Sequence, residues 1–297
     1  MFTGLSAFPL TPGTDAGIDE AAFARLVRRA AEAGVDSIGA LGSTGGYAYL
    51  SRDERARAAD IAVANSGGVP VIVGIGALRT RDVLSAAEDA QRAGVAGVLL
   101  APMTYQPLTD DDVFGLYEEV SANLSVPLCV YDNPGTTRFT FSDELHGRIA
   151  ELPKVASIKI PGVPSEPDEA AARVARLRDA TGGAVTIGVS GDAMAATGLI
   201  AGCDAWYSVI AGILPQHCAV ITRAALAGDA DTARALSRQW QPLWDLFARH
   251  GSLRVVSAAA EHLGLAAHPN LPRPIRGLGG ESHAEVGDVL ARLEIRV

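Results

Sequence analysis

The chain has 297 residues, 48% of them hydrophobic and 20% charged, with a formal net charge of −9 at pH 7. That length suits one large α/β barrel or two ordinary domains, and it is enough to bury a sizeable core. Lys and Arg form no basic cluster, which argues against a nucleic-acid partner or an anionic membrane surface.

Short β-rich apolar runs alternate with amphipathic helical patterns. TGLSAFPL (3–10) reads as the first strand and 19–33 as the first helix, followed by DSIGAL (36–41) and a helix over 51–66. VPVIVGIG (69–76) and AGVLLAP (96–102) are the next strands, with helices over 80–93 and 109–124. VPLCVYDNP (126–134) precedes a helix at 141–151, and VASIKI (155–160) one near 166–181. AVTIGVS (184–190) precedes 191–201, and DAWYSV (204–209) precedes 214–227.

A phrase recurs at the helix-to-strand joints: AGVD at 33–36, AGVA at 93–96 and AGCD at 201–204. Each puts a Gly where a helix needs a left-handed C-cap. The strands are apolar on both faces, as parallel strands covered by helices are. Eight such units predict a (β/α)8 TIM barrel over 1–228, in preference to an open doubly wound sheet. Residues 229–297 read as a C-terminal helical extension of two or three helices, drawn from 229–250, 253–264 and 283–296. The Pro-rich HPNLPRPIRGLGG (268–280) connects them, and no linker suggests a separate domain.

The opening MFTGLSAFPLTP lacks a basic n-region and a long apolar h-region, so it does not read as a signal peptide. The longest apolar run, 205–214, is too short to span a bilayer as a helix. Cys129, Cys203 and Cys218 are far apart and suggest neither a disulfide framework nor a zinc site. A soluble cytoplasmic protein is expected.

Barrel active sites lie at the C-terminal ends of the strands, so polar residues there become candidates. In GSTGGY (42–47), glycines flank the hydroxyls of Ser43 and Thr44. Such a turn aims N–H and O–H groups at a small carboxylate or phosphate; a tight turn with polar filler is the alternative. In YDNPGTT (131–137), Tyr131 ends an apolar strand and would aim its phenol into the barrel mouth. A phenol beside a hydroxyl can relay protons, and a Tyr anchoring a turn is the other reading. Asp132, Asn133, Pro134 and Gly135 read as ordinary turn chemistry. GVSGD (188–192) is a small-residue turn that would let a ligand approach the backbone.

Only two of the 25 cations are lysines, Lys154 and Lys159. Lys154 follows a Pro and suits a solvated position. Lys159 sits between Ile158 and Ile160 in a strand that otherwise reads as buried. A charged amine there is costly unless it snorkels, pairs with a carboxylate or loses its proton. A neutral amine attacks ketones, which gives Schiff-base catalysis; a structural salt bridge is the competing reading.

GSTGG, YDNPG, SIKIPG and VSGD, in this order and at these spacings, resemble the dihydrodipicolinate synthase / N-acetylneuraminate lyase family of Schiff-base aldolases. The likeness runs from GLSAFPLTP through GIDEAAFARLVRRAAEAGVDSIGALGSTGG to the helical tail. It implies a barrel with a C-terminal helical extension, commonly tetrameric, so a homotetramer or homodimer. It implies that Lys159 forms an imine with C2 of pyruvate or another 2-oxo acid, that Tyr131 shuttles protons, and that Ser43 and Thr44 bind the carboxylate. No metal or organic cofactor is implied. Arg is essentially never neutral and cannot replace that amine.

The chain departs from the family pattern in four places. Gly46 stands where the family usually has Glu, and Ile160 where an acid often follows the lysine. Thr136 occupies the place of the Arg that binds a synthase's second substrate; Arg138, two residues on, would need a shifted loop. Met103 and Thr104 align with a synthase's Tyr-Tyr pair, leaving Tyr105 offset by one. Tyr105, Thr136, Arg138 and Tyr207 are therefore carried as relay or second-substrate candidates.

The pyruvate half is intact and the second half is not that of a synthase. The expected activity is a lyase performing aldol cleavage, condensation or dehydration of a 2-oxo acid, pyruvate or sugar-derived. The alternatives are a true 4-hydroxy-tetrahydrodipicolinate synthase of lysine biosynthesis, a weakened 2-oxo-acid-binding regulator, or an unrelated phosphate-binding barrel enzyme. His146, His217, His250, His262, His268 and His283 lack metal spacing and are expected in surface or capping roles. Trp240 and Trp244, at i and i+4, are expected to pack on the barrel or at an interface.

Overall fold

Eight parallel strands close on themselves: β1 Gly4–Ala7, β2 Ser37–Ala40, β3 Val71–Gly74, β4 Gly97–Leu100, β5 Leu128–Tyr131, β6 Val155–Ile160, β7 Thr186–Val189 and β8 Ala205–Ser208. Each pairs with its sequence neighbours, and β1 pairs with both β2 and β8. The structure is a computed structural model and describes residues 1–295. Between and after the strands lie α1 Glu20–Glu32, α2 Arg52–Asn65, α3 Thr80–Arg92, α4 Asp110–Ala122, α5 Asp143–Ala150, α6 Pro167–Ala180, α7 Ala195–Ile200 and α8 Pro215–Leu226. The chain is thus a TIM barrel, as the eight strand-then-helix units predict.

Local chemistry explains the element ends. Ser51 and Glu54 form a reciprocal capping box on α2, and Thr109 and Asp112 one on α4. Gly34, Gly94 and Gly202, the three repeats of the joint phrase, all take positive φ (71°, 83° and 103°). They end their helices as the sequence requires.

Alternation along each strand separates two cores. Leu128 and Val130 of β5, with Ile158 and Ile160 of β6, face the helical layer. Cys129 and Tyr131 face the barrel interior with Phe2, Phe8, Ile72, Leu99 and Tyr207. Lys159, between two outward isoleucines, therefore points inward. It is 3% exposed, whereas Lys154 is exposed.

The C-terminal extension differs from expectation in number. Instead of two or three helices the described residues form four: α9 Ala230–Gln239, α10 Gln241–His250, α11 Ser252–His262 and α12 Gly280–Arg292. The predicted run 229–250 breaks at Trp240, because Pro242 in the first turn of α10 supplies no N–H to continue α9. The predicted helix 191–201 is likewise a 3-10 turn, Asp192–Met194, leading into α7. The last predicted helix runs to 296; Arg296 lies outside the described residues. Trp240 and Trp244 stack on each other at 5.8 Å and join the same apolar core as the barrel's outer face.

Candidate active site

In-register pairing assembles the site's centre. Tyr131 is paired with Lys159, and Lys159 with Gly188, so one row crosses β5, β6 and β7 at their C-terminal ends. The partners of the lysine nitrogen are aromatic faces: Nζ lies 3.8 Å from the Phe8 ring centroid, 4.2 Å from that of Tyr131 and 5.6 Å from that of Tyr207. The structural salt bridge considered for Lys159 is not what surrounds it. Two strand glycines make this packing possible. A Cβ on Gly39 would fall 2.3 Å from the Phe8 ring, and one on Gly188 2.2 Å from Tyr207.

Beside the lysine, three polar groups converge. The Tyr131 hydroxyl lies 3.3 Å from Ser43 Oγ. Asn133 Nδ2 donates to the Tyr131 hydroxyl at 2.8 Å and reaches Ser43 Oγ at 3.4 Å. Because the amide N–H takes a lone pair of the phenol oxygen, the phenolic proton is left for Ser43 or for a ligand. Asn133 is not the ordinary turn residue expected from YDNPG. Nothing in the sequence signalled this, since its role depends on β2 bringing Ser43 beside β5.

These groups open into a cavity of roughly 770 Å³ lined by Ser43, Thr44, Tyr131, Asn133 and Lys159, with walls from the loops after β4 and β7 and from α10 and α11. Tyr47 borders it, its phenol pushed up to about 12, chiefly by burial. A smaller cavity of roughly 270 Å³ lies between α2 and α3. Its charged lining residues are engaged: Arg52 with Asp89 at 2.6 Å, Arg55 with the carbonyls of Gly74 and Gly76, and Asp82 with Arg81 at 3.4 Å.

The other candidates divide. Thr136 lines the cavity. Tyr105 does not: its side chain is 88% exposed on the loop after β4. Arg138 is exposed at a left-handed position (φ 57°), and its side chain does not line the cavity. Tyr207 is fully buried below Lys159, with its hydroxyl 2.7 Å from Ser157 Oγ. It serves as floor, not as a border residue, because Gly188 admits its ring inside the barrel.

His146 also departs from expectation. It is buried, stacked on Phe141 at 4.9 Å, with Nε2 3.6 Å from Asp132 Oδ2. Burial pushes Asp132 up to about 7 and His146 down to about 4, so the pair is neutral between those values. His262, His268 and His283 gather around Glu261, which accepts from His268 at 3.0 Å and His283 at 2.9 Å. Among the described residues no group of three or more His, Cys, Asp or Glu could hold a metal. The three cysteines are free and buried, and among the described residues no helix is long and apolar enough to cross a membrane.

A closed parallel barrel with a buried amine, a phenol and hydroxyls at the C-terminal mouth defines a TIM-barrel enzyme. The model of the Dihydrodipicolinate synthetase family matches residues 1–293, and the chain belongs to that family. The 4-hydroxy-tetrahydrodipicolinate synthase of Shewanella sp. (strain W3-18-1) is 28% identical over the whole of both chains. That of Nitrobacter hamburgensis is 31% identical over 82% of this chain and 80% of its own. Among solved structures, dihydrodipicolinate synthase from Agrobacterium tumefaciens str. C58 is 45% identical, with a TM-score of 0.94 and 98% of each chain covered. The Acinetobacter baumannii dihydrodipicolinate synthase, solved in complex with pyruvate, is 25% identical with a TM-score of 0.90, over 99% of this chain and 100% of its own. The chain is accordingly an enzyme, a lyase of this family.

Proposed function

We propose that Lys159 forms an imine with C2 of pyruvate or a related 2-oxo acid, and that the enzyme makes or breaks the bond beyond C3. The observation that carries this reading is the inward amine, 3% exposed, in register with Tyr131 at the mouth of the barrel. The amine attacks C2, and the keto oxygen leaves as water. The protonated imine then draws electrons from C3, so that losing a C3 proton, or cleaving C3–C4, gives a neutral enamine in place of a carbanion. Tyr131, tied to Ser43 and Asn133, delivers and removes protons as the carbinolamine collapses and at the substrate oxygen. Ser43 and Thr44 hold the carboxylate and so aim C2 at Lys159. Every step is proton movement or exchange of C–N, C–O and C–C bonds, with no net oxidation, so no cofactor enters the scheme.

Synthase activity is the second reading, favoured by the names of the relatives. Thr136 in place of a cation and the outward Arg138 weigh against it. We further propose a cytoplasmic homo-oligomer, with 1–228 as the barrel domain and 229–297 as its extension; light scattering in solution tests the assembly.

The experiment is reduction of the pyruvate-incubated protein with borohydride, followed by peptide mass mapping. The expected adduct sits on Lys159 and disappears in Lys159→Arg. That variant should lose roughly a thousandfold or more in turnover. Pyruvate binding without trapping would point to the regulator, and phosphate protection without any pyruvate response to a phosphate enzyme; either sinks the imine.

A further inference from the structure

The outer part of the cavity bears on what reacts with the keto acid, an inference that rests on the imine reading above. At roughly 770 Å³ the cavity is in the range that holds ligands much larger than a three-carbon acid. Among the described residues, Lys159 is its one cationic lining side chain. Arg55, behind Tyr47, is held by the carbonyls of Gly74 and Gly76 at 3.1 Å each and does not line it. The one acid, Asp192, is turned toward β8 and the turn that follows it. Its oxygens accept from Trp206 Nε1 at 2.9 Å and from the backbone N–H groups of Val209 and Ile210 at 3.2 and 2.9 Å. A second carboxylate on the substrate would be desolvated without a counter-charge, which is strongly unfavourable.

The extension side offers a polyhydroxylated substrate few partners. Two of the cavity hydroxyls already donate to backbone carbonyls, Ser190 to Ile160 at 2.8 Å and Thr137 to Asn133 at 2.9 Å, and the unpartnered Thr104 Oγ1 lies on the loop after β4. The wall contributed by the extension is mostly carbon, Trp244, Phe247, Leu253 and Ile275 with the Ser252 hydroxyl among them, and Met103 and Met194 join it. The Trp244 indole N–H donates to the Ser237 carbonyl at 3.1 Å, so the ring offers no free donor. A surface of this kind gains by covering hydrocarbon.

We propose that the second reactant is an uncharged aldehyde with an apolar body, so that the protein joins or cleaves 4-hydroxy-2-oxo acids bearing an aliphatic or aryl group at C4. In condensation, enamine C3 attacks the aldehyde carbon and the C3–C4 bond forms. The carbonyl π pair moves to oxygen, which takes a proton from Tyr131. Water adds to the imine, Lys159 is released, and no net oxidation occurs. Cleavage is the reverse.

The test uses the wild-type protein with pyruvate and three four-carbon aldehydes: butanal, succinic semialdehyde and erythrose. Borohydride trapping of pyruvate on Lys159 is run alongside. With trapping present, kcat/KM for butanal should exceed that of either other aldehyde by at least about tenfold. Phe247→Arg, which puts a cation on the wall, should raise succinic semialdehyde relative to butanal by roughly tenfold. If trapping occurs but succinic semialdehyde or erythrose equals butanal, or no aldehyde reacts, the inference is overturned while the imine stands. An unchanged preference in Phe247→Arg overturns the assignment of the wall. Absence of trapping overturns the imine reading and this inference with it.

Discussion

The inner end of the cavity and its outer wall are built by different means. At the inner end, Tyr131 and Lys159 sit on hydrogen-bonded strands whose register fixes their spacing, and their side chains are 6% and 3% exposed. The outer wall comes from α10, α11 and the connection at Ile275, where Phe247, Leu253 and Ile275 are half-buried. A strand residue cannot shift without disturbing its ladder, whereas a helix side chain at the rim can be exchanged alone. If Lys159 forms the proposed imine, the reacting geometry is the rigid part and the choice of partner is left to the replaceable part.

Changes at the inner end should therefore cost rate, and the steepest loss outside Lys159 itself is expected from Tyr131→Phe. Removing the phenol should lower kcat by roughly a hundredfold or more while borohydride still traps pyruvate, more slowly. A variant that keeps its rate would show that Tyr131 only anchors its turn.

Behind the inner end lies the buried Asp132–His146 pair. Folded protein keeps the Asp132 proton up to about 7, whereas an unfolded Asp releases it near ~3.9. The folded state therefore binds more protons in that window, and this contribution to stability falls as pH rises through it. His146 acts in the opposite sense. Folded it gives up its proton near 4, unfolded near ~6.5, so stability rises with pH across that interval. Asp132→Asn removes only the first effect. In urea denaturation it should gain on the wild type by about 2–3 kcal/mol between pH 5 and pH 8; an equal gap at both values would mean that Asp132 is ionised throughout.

Beneath the lysine, Gly188→Ala tests how tightly the floor is packed. Its Cβ would meet the Tyr207 ring at 2.2 Å, for a loss of about 1–3 kcal/mol in stability. A neutral result would show that the ring moves freely and that the inner end is less rigid than the comparison claims. The smallest effect is expected from Asn133→Ala. Losing one hydrogen bond of about 1 kcal/mol to the phenol should lower kcat about fivefold and leave KM for pyruvate nearly unchanged. A change confined to KM would place Asn133 in binding instead of in orienting Tyr131.

Much of the inner end was legible along the chain. Lys159 was conspicuous as a lysine between isoleucines in a strand that otherwise read as buried. Ser43, Thr44 and Tyr131 stood at strand ends, where a barrel collects its site. Tyr105 and Arg138 were left open for a common reason: closeness in sequence to a strand end does not say which way a loop side chain turns. The position of Tyr207 was decided by Gly188 on the neighbouring strand, and that of Arg138 by a left-handed turn.

What the sequence alone determined was the barrel, its order of strands and helices, the glycine caps and a lysine set in an apolar strand, because these follow from hydrophobic period and backbone preference, both local properties. Only the tertiary structure decided that Asn133 joins Ser43 and Tyr131, that Asp132 and His146 share one buried space, and that α10 and α11 wall the cavity largely in carbon. Those facts depend on residues far apart in the chain meeting once the barrel closes, and local spacing carries no record of such meetings.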